Sequence, residues 1–384
     1  MKLALISSGL GNTYRGFEIS TGRWFDALRR YTDLDVRLFA GGNHPGATRV
    51  WNIPRRNWLL RPLLSLPFVP EQNRWELTYG IEEFTFFFSI IPHLLRWKPD
   101  VVWVKDVPLA HLLASARIIP GLNYKVIFAN GGAFKPSNYK HFDRIQQLHV
   151  QAYEDALDAG VPVGQMELIS NCIAFDDVPP TAHVTRKTLG LSDNDFVVVC
   201  VAAWNKYHKR IDYLINEVAR IPDANVKLLL CGAPEADSGE LQSLAKKQLG
   251  SRVQFLTVSP SSVRQILGFS NVFALASLNE GLGNALIEAA VAKIPIVAHP
   301  HGGAKFILQD PAWMTDLSED GNLAARLIAI KNSPPSTDAL QRLSEEVSAR
   351  FSDKLLASQF EQMVNTTAQR ITPRTVSSAG GARS

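Results

Sequence analysis

Cysteine is scarce in this chain of 384 residues, with only Cys172, Cys200 and Cys231. An odd number, widely spaced and without zinc-ligand spacing, excludes a disulfide scaffold and a structural zinc site, and fits a reducing compartment. Long apolar runs are missing too. No stretch reaches the roughly 20 residues that a membrane span needs; the longest, Phe84 to Leu95, is interrupted by Ser89, Pro92 and His93. The opening run in MKLALISSGLG is too short for the core of a signal peptide and reads as a buried strand. A strong charge of either sign is also absent. The formal net charge of +4 is far from the dense basic surface of a nucleic-acid binder. Export, membrane spanning and nucleic-acid binding are therefore disfavoured, and a cytoplasmic location is expected.

What is present suits an ordinary core, with 46% hydrophobic and 20% charged residues. At roughly 150 residues per domain the length suggests two domains. Short β-branched runs alternate with helical patterns. Strands are expected at Leu3–Ser7, Val36–Ala40, Val101–Lys105 and Lys125–Ala129, with a helix over Glu18–Tyr31 after the first. The pattern restarts with FVVVCVA at Phe196–Ala202, followed by Val226–Cys231, Val253–Leu256, Val272–Ala276 and Pro295–Ala298. Strands alternating with helices imply parallel βαβ units. The acidic, proline-rich DDVPPTA at 176–182 reads as a linker, and the Ser/Gly/Ala-rich stretch 372–384 as a disordered tail. The expected organisation is a first α/β domain over 1–175, a second over 176–352 and a final helix over 353–371.

The charge is unevenly split. Residues 1–170 hold 19 basic and 15 acidic side chains, and the remainder hold 21 of each. Much of the excess lies in the Arg/Trp-rich region 49–75. That region reads first as a surface insertion and second as a basic, aromatic surface for an anionic membrane or an acidic acceptor.

Three constellations could carry chemistry. Gly9 and Gly11 follow the first strand and would let backbone N–H groups approach a phosphate, or they only make a tight turn. A dinucleotide fingerprint is excluded, because Tyr14 stands where a third glycine belongs and the second strand ends in Gly41-Gly42-Asn43 without an acid. Lys206, His208, Lys209 and Arg210 follow the strand FVVVCVA, where open α/β sheets bind ligands. Cations there oppose the dipole of the next helix unless an anion is bound, and a diphosphate would suit them. The third constellation is SLNEGLGNALIEAA. Glu280 and Glu288 are about two helical turns apart, roughly 12 Å, and could share one face, with a glycine turn between them exposing backbone donors. Carboxylates accept paired hydrogen bonds from vicinal hydroxyls, so this pattern suits a nucleotide-sugar. His111, in an apolar helical pattern, and His299 and His301, beside Pro300, have no cluster that suggests a metal.

The segment EGLGNALIEAA, with PIVA and Gly302-Gly303 after it, resembles the E-x7-E motif of the retaining glycosyltransferases of family 4. VTRKTLGLSDNDFVVVCVAAWNKYHKRIDYLI resembles that family's entry into its nucleotide domain, and YEDALDAGVPVGQMELISNCIAF the end of its first domain. The resemblance implies the α/β GT-B fold, two Rossmann-like parallel-sheet domains facing a central cleft, and metal-independent sugar transfer. It implies a nucleotide-diphosphate sugar as co-substrate rather than a cofactor, and a saccharide or lipid-linked acceptor, with glycan, polysaccharide or glycolipid synthesis as the setting; the composition of region 49–75, not the resemblance, would add peripheral contact with the inner face of a membrane. By the same resemblance Glu280 and Lys209 would be catalytic. Glu288 would hold the ribose, and Gly281, Leu282, Gly283 and Asn284 would approach sugar and phosphates. The final helix would cross back to the first domain.

Three positions depart from the family pattern. Ala202-Ala203-Trp204 stands where an Arg is common, leaving Lys206 as a substitute. Asn130 stands where a His is common, with His111 as the nearby alternative. Phe306 replaces an acid. These departures keep open a catalytically degenerate sugar-nucleotide-binding partner subunit, and also epimerisation or phosphorolysis on the same fold.

Overall fold

The computed structural model describes residues 1–13, 16–55, 57–60, 74–132, 134, 136–172 and 183–369. The linker expected at 176–182 and the tail at 372–384 lie outside them. Among the described residues the first domain holds seven parallel strands: β1 (Lys2–Ser7), β2 (Asp35–Ala40), β3 (Thr48–Arg49), β4 (Val101–Val104), β5 (Lys125–Asn130), β6 (Arg144–Gln147) and β7 (Met166–Leu168). Their spatial order is β3-β2-β1-β4-β5-β6-β7. The second domain holds β8 (Phe196–Val201), β9 (Val226–Cys231), β10 (Val253–Leu256), β11 (Val272–Leu275) and β12 (Ile296–Ala298), in the order β10-β9-β8-β11-β12, also parallel. Two Rossmann-like parallel sheets in one chain are the GT-B architecture. Among the described residues no helix is long and apolar enough to cross a membrane.

The helices are α1 (Gly16–Tyr31), α2 (Arg74–Trp97), α3 (Val107–Ser115), α4 (Val150–Asp158), α5 (Ile211–Ala219), α6 (Ser238–Leu249), α7 (Pro260–Phe269), α8 (Asn284–Val291), α9 (Gly302–Leu308), α10 (Asn322–Asn332), α11 (Thr337–Arg350) and α12 (Asp353–Gln369). The period-2 alternation of a strand sends neighbours to opposite faces. In the first sheet Ala4, Ile6, Val102, Val104, Val126 and Phe128 meet Phe86, Ile90 and Leu94 of α2. Their neighbours Leu3, Leu5, Val101, Trp103, Ile127 and Ala129 meet Trp24 and Leu28 of α1 and Phe360, Met363 and Val364 of α12. The last helix thus packs on the first sheet, its Phe360 ring 4.6 Å from Trp24 and 5.9 Å from Trp103. Burial on both faces is why these strands read as continuous apolar runs.

Strands β3, β6 and β7 and the helix α2 are not legible as periodic signals. RIQQ of β6 is polar, yet Gln146 and Gln147 are fully buried. Gln146 accepts from Trp103 Nε1 at 2.7 Å and donates to the Ile169 carbonyl at 2.8 Å. Burial of polar groups is tolerated where partners satisfy them. The 24-residue α2 carries Pro92 inside it, one of the residues that interrupt the apolar run from Phe84 to Leu95.

Candidate active site

The loops leaving β5 and β11 meet between the two domains, where Gly131 lies against Gly281, and open parallel sheets bind ligands at such carboxyl ends. The loop after β8 is fixed by Asn205, whose Oδ1 accepts from the backbone N–H of His208 at 3.0 Å and of Lys209 at 2.7 Å. Arg210 follows in the left-handed region at φ +50°. Its guanidinium stacks on Tyr213 and donates to the Leu317 carbonyl at 2.6 Å, so it holds the loop down.

The three cations of this loop therefore separate, and burial lowers the pKa of its fourth basic side chain, His208. Lys209 Nζ hydrogen-bonds Glu280 Oε1. Lys206 Nζ is taken by Glu240 Oε2 at 2.7 Å on the exposed side of α6; the loop does not bring it to Glu280. Hydrogen bonding to Glu240 raises the Lys206 pKa.

Glu280 stands in the turn between β11 and α8, so it and Glu288 do not share a helical face. Its side chain is only 7% exposed. Burial pushes its pKa up, but the charges of Lys209 and His208 and the bond from Lys209 outweigh burial and hold it below the ordinary carboxylate value. It is a buried, ionised carboxylate. Leu282 is buried in the second core, leaving only its backbone for a ligand. Gly283, at φ +90°, caps α8, and Asn284 opens it.

The loop is pressed against the first domain. A Cβ on Gly281 would lie 2.0 Å from the Gly131 carbonyl oxygen, so only glycine permits this approach. Asn130, just before Gly131, donates from Nδ2 to Gln147 Oε1 at 2.8 Å, and its Oδ1 is buried without a partner. The first domain adds His149, which caps α4 by accepting from the Ala152 N–H at 3.2 Å and hydrogen-bonds the Gly281 backbone. His301 caps α9 through Nδ1. Its Nε2 is buried and unpartnered, and burial drives its pKa down to about 4.

Among the described residues, two hydrogen bonds between side chains also cross the cleft. Arg23 Nη2, from α1, donates to Glu288 Oε1 at 2.6 Å. Asn171 Nδ2 donates to Asn284 Oδ1 at 3.1 Å. Asn171 Oδ1 in turn accepts from Lys105 Nζ at 3.0 Å, and Lys105 also hydrogen-bonds Ser20 Oγ. Lys105 is 2% exposed, and burial lowers its pKa to about 7.

The remaining expected residues, His111, Gly9 and Gly11, make their contacts within the first domain. His111 packs on Phe142 with tilted rings 4.9 Å apart and meets His141 edge-on; burial lowers its pKa. Gly11, at φ +82°, packs on Asn43, whose carbonyl oxygen would lie 2.5 Å from an added Cβ. Gly9 lies against Glu18 and Arg55. Gly11 is thus required by its backbone conformation and by packing within the first domain, whereas at Gly9 only side-chain ends would have to move. Beneath them Arg55 pairs with Glu82, and Ser8 Oγ hydrogen-bonds both Glu82 and Glu83. Burial, then the charges of Asp106 and Glu82, hold the Glu83 carboxyl well above the ordinary value. Sequence reasoning missed Arg23, Asn171 and His149, which carry no local signal. Lys105 did carry one, a charge ending the apolar strand VVWV. Among the described residues no three His, Cys, Asp or Glu side chains are grouped to hold a metal ion.

Comparisons with known proteins agree with this architecture. Residues 195–343, within the second domain, match the family model described as "Glycosyl transferases group 1". The chain is 24% identical to N-acetyl-alpha-D-glucosaminyl L-malate synthase of Bacillus anthracis over 46% of this chain and 47% of that one. It is 25% identical to alpha-galactosylglucosyldiacylglycerol synthase of Streptococcus pneumoniae over 60% of this chain and 64% of the relative. The matches thus span less than two thirds of these relatives' lengths. In structure it resembles Anabaena HepE in complex with UDP and glucose, with a TM-score of 0.71, 16% identity, and coverage of 95% of this chain and 100% of that one. Over residues 195–343 the chain thus matches the group 1 glycosyltransferases, and its two-sheet architecture is shared over nearly its whole length with a solved structure of the same fold.

Proposed function

We propose that the chain is a retaining glycosyltransferase that moves a sugar from a nucleotide-diphosphate donor to an acceptor hydroxyl. The observation that carries this reading is the ionised Glu280 paired with Lys209 beside the Gly281–Asn284 backbone, with Glu288 farther along α8. In this reading Glu288 accepts from the ribose hydroxyls and Glu280 from hydroxyls of the donor sugar. Lys209 moves from Glu280 to the diphosphate as the donor enters. It then stabilises the charge that grows on the leaving group, the kind of electrostatic contribution that dominates many enzymatic reactions. The bond from the anomeric carbon to the diphosphate oxygen breaks, and the acceptor oxygen bonds that carbon on the same face. The acceptor's proton passes to the leaving phosphate, so no protein base is needed at Asn130.

The second domain, 176–352, supplies the donor side and the first, 1–175, the acceptor side. UDP is the first donor base to test, because HepE was crystallised with it. Trp51, Trp58, Phe84 and Phe88 are exposed and support a lipid-linked or membrane-side acceptor, a class consistent with the name of the Streptococcus relative. The test is release of free nucleotide diphosphate when UDP-, GDP-, ADP- and dTDP-sugars are offered with glycolipid and oligosaccharide acceptors. One donor should be consumed with retention at the anomeric carbon, and Glu280→Ala should abolish it. Equal inertness of both proteins with every pair would favour the binding-subunit reading.

A further inference from the structure

Glu288 is braced from across the cleft. Arg23 on α1 reaches it from the first domain, with Nη2 2.6 Å from Oε1. The described contacts give Glu288 Oε2 no bond. The side chains keep 19% and 16% exposure, so the pair sits at the cleft edge with one carboxylate oxygen open to a ligand.

Such a pair could act in two opposite ways. A latch would occupy the carboxylate and have to open before a ribose could bind. A brace would fix the carboxylate's direction and share it. The surrounding contacts favour the brace. The pair coexists with the Asn171–Asn284 bond at 3.1 Å and with Gly281 packed on the Gly131 carbonyl, which require the domains to be shut. The salt bridge therefore belongs to the closed arrangement in which transfer takes place. An ionised carboxylate also has about four acceptor sites, and Arg23 uses one of them.

We propose that Arg23 is a positioning residue of the donor site, which holds Glu288 so that its free oxygen meets the ribose hydroxyls only when the two domains close. This rests on the reading of Glu288 as the ribose ligand. Its consequence is that preference for a ribonucleotide over a deoxyribonucleotide is set partly by the first domain, which otherwise faces the acceptor.

The test is calorimetric titration of wild type, Arg23→Ala and Arg23→Lys with UDP and 2′-deoxy-UDP. ADP and 2′-deoxy-ADP run alongside to separate base preference, and thermal melting checks that each variant folds. Wild type should favour the ribonucleotide by about tenfold, the worth of one hydrogen bond to a charged group. Arg23→Ala should lose most of that preference, weakening the ribonucleotide about tenfold and the deoxy form hardly at all, with Arg23→Lys in between. In turnover the donor KM should rise more than kcat falls. Tighter or unchanged ribonucleotide binding by Arg23→Ala would overturn the brace, and so would equal weakening of both forms. If wild type binds none of the four nucleotides, the donor-site reading itself fails and takes this inference with it.

Discussion

Glu280 and Lys209 stand 71 positions apart in the sequence, yet they form a hydrogen-bonded ion pair at the ends of adjacent strands β11 and β8. The pair keeps a buried carboxylate ionised and stores the ammonium that, in the proposed site, moves to the diphosphate as the donor enters. Lys209→Ala should lower kcat by about 10²–10³, the usual cost of one transition-state donor. Glu280→Gln should leave Lys209 with a poorer partner and cost about 1–3 kcal/mol of stability. The pH sign follows from a lowered carboxylate pKa. The contribution of Glu280 is present above its ordinary value of 4.5 and is lost as pH falls through the lower folded value. Acid unfolding of Glu280→Gln should therefore be shallower than that of wild type, and identical acid limbs would contradict the pairing.

Gly281→Ala tests the close approach of the two domains. Its methyl group would overlap the Gly131 carbonyl, so the cleft could not shut without a shift. Turnover should fall at least tenfold, about 1.4 kcal/mol in barrier, while the melting temperature moves little. Wild-type turnover by the alanine variant would show that this contact is not part of the working state.

Lys105 should report pH through stability. Its folded pKa is near 7 and its ordinary value 10.5, because burial penalises the ammonium form. Between those values the unfolded chain binds more protons, so this lysine's contribution to stability rises with pH across that window, and below pH 7 the penalty is present in full. Urea unfolding of wild type and Lys105→Met should show the difference shifting in favour of wild type from pH 7 to 10. Parallel pH profiles would contradict the buried-ammonium account.

Phe360 anchors the last helix to the first sheet through Trp24 and Trp103. Phe360→Ala should cost about 3–5 kcal/mol, as for a fully buried aromatic ring. The loss should appear in the tryptophan fluorescence of that layer. A loss below 1 kcal/mol would mean that the helix is dispensable to the first domain.

The runs FVVVCVA and VKLLLC placed the second sheet because central parallel strands are apolar on both faces. EGLGNALIEAA marked both glutamates by residue type and spacing, but the shared helical face expected of them fails, because the helix begins at Asn284, after Glu280. Strand β6 stayed hidden because Gln146 and Gln147 are buried through partners that lie elsewhere in the chain. The cations after β8 were legible as a group but not by destination. Only the fold shows that Lys206 goes to Glu240, Arg210 to backbone carbonyls and Lys209 to Glu280. Arg23 could not be found at all. It looks like an ordinary residue of an amphipathic helix until α1 and α8 face each other.

The central claim is that the second domain holds a nucleotide diphosphate between Lys209 and Glu288. A thermal-shift panel with UDP, GDP, ADP and dTDP tests it most directly. A nucleotide at 100 times its dissociation constant should stabilise the protein by about 2.7 kcal/mol. The account predicts that one nucleotide stands out and that Glu288→Ala and Lys209→Ala each abolish its shift. A flat panel, or a shift that survives both substitutions, would contradict it.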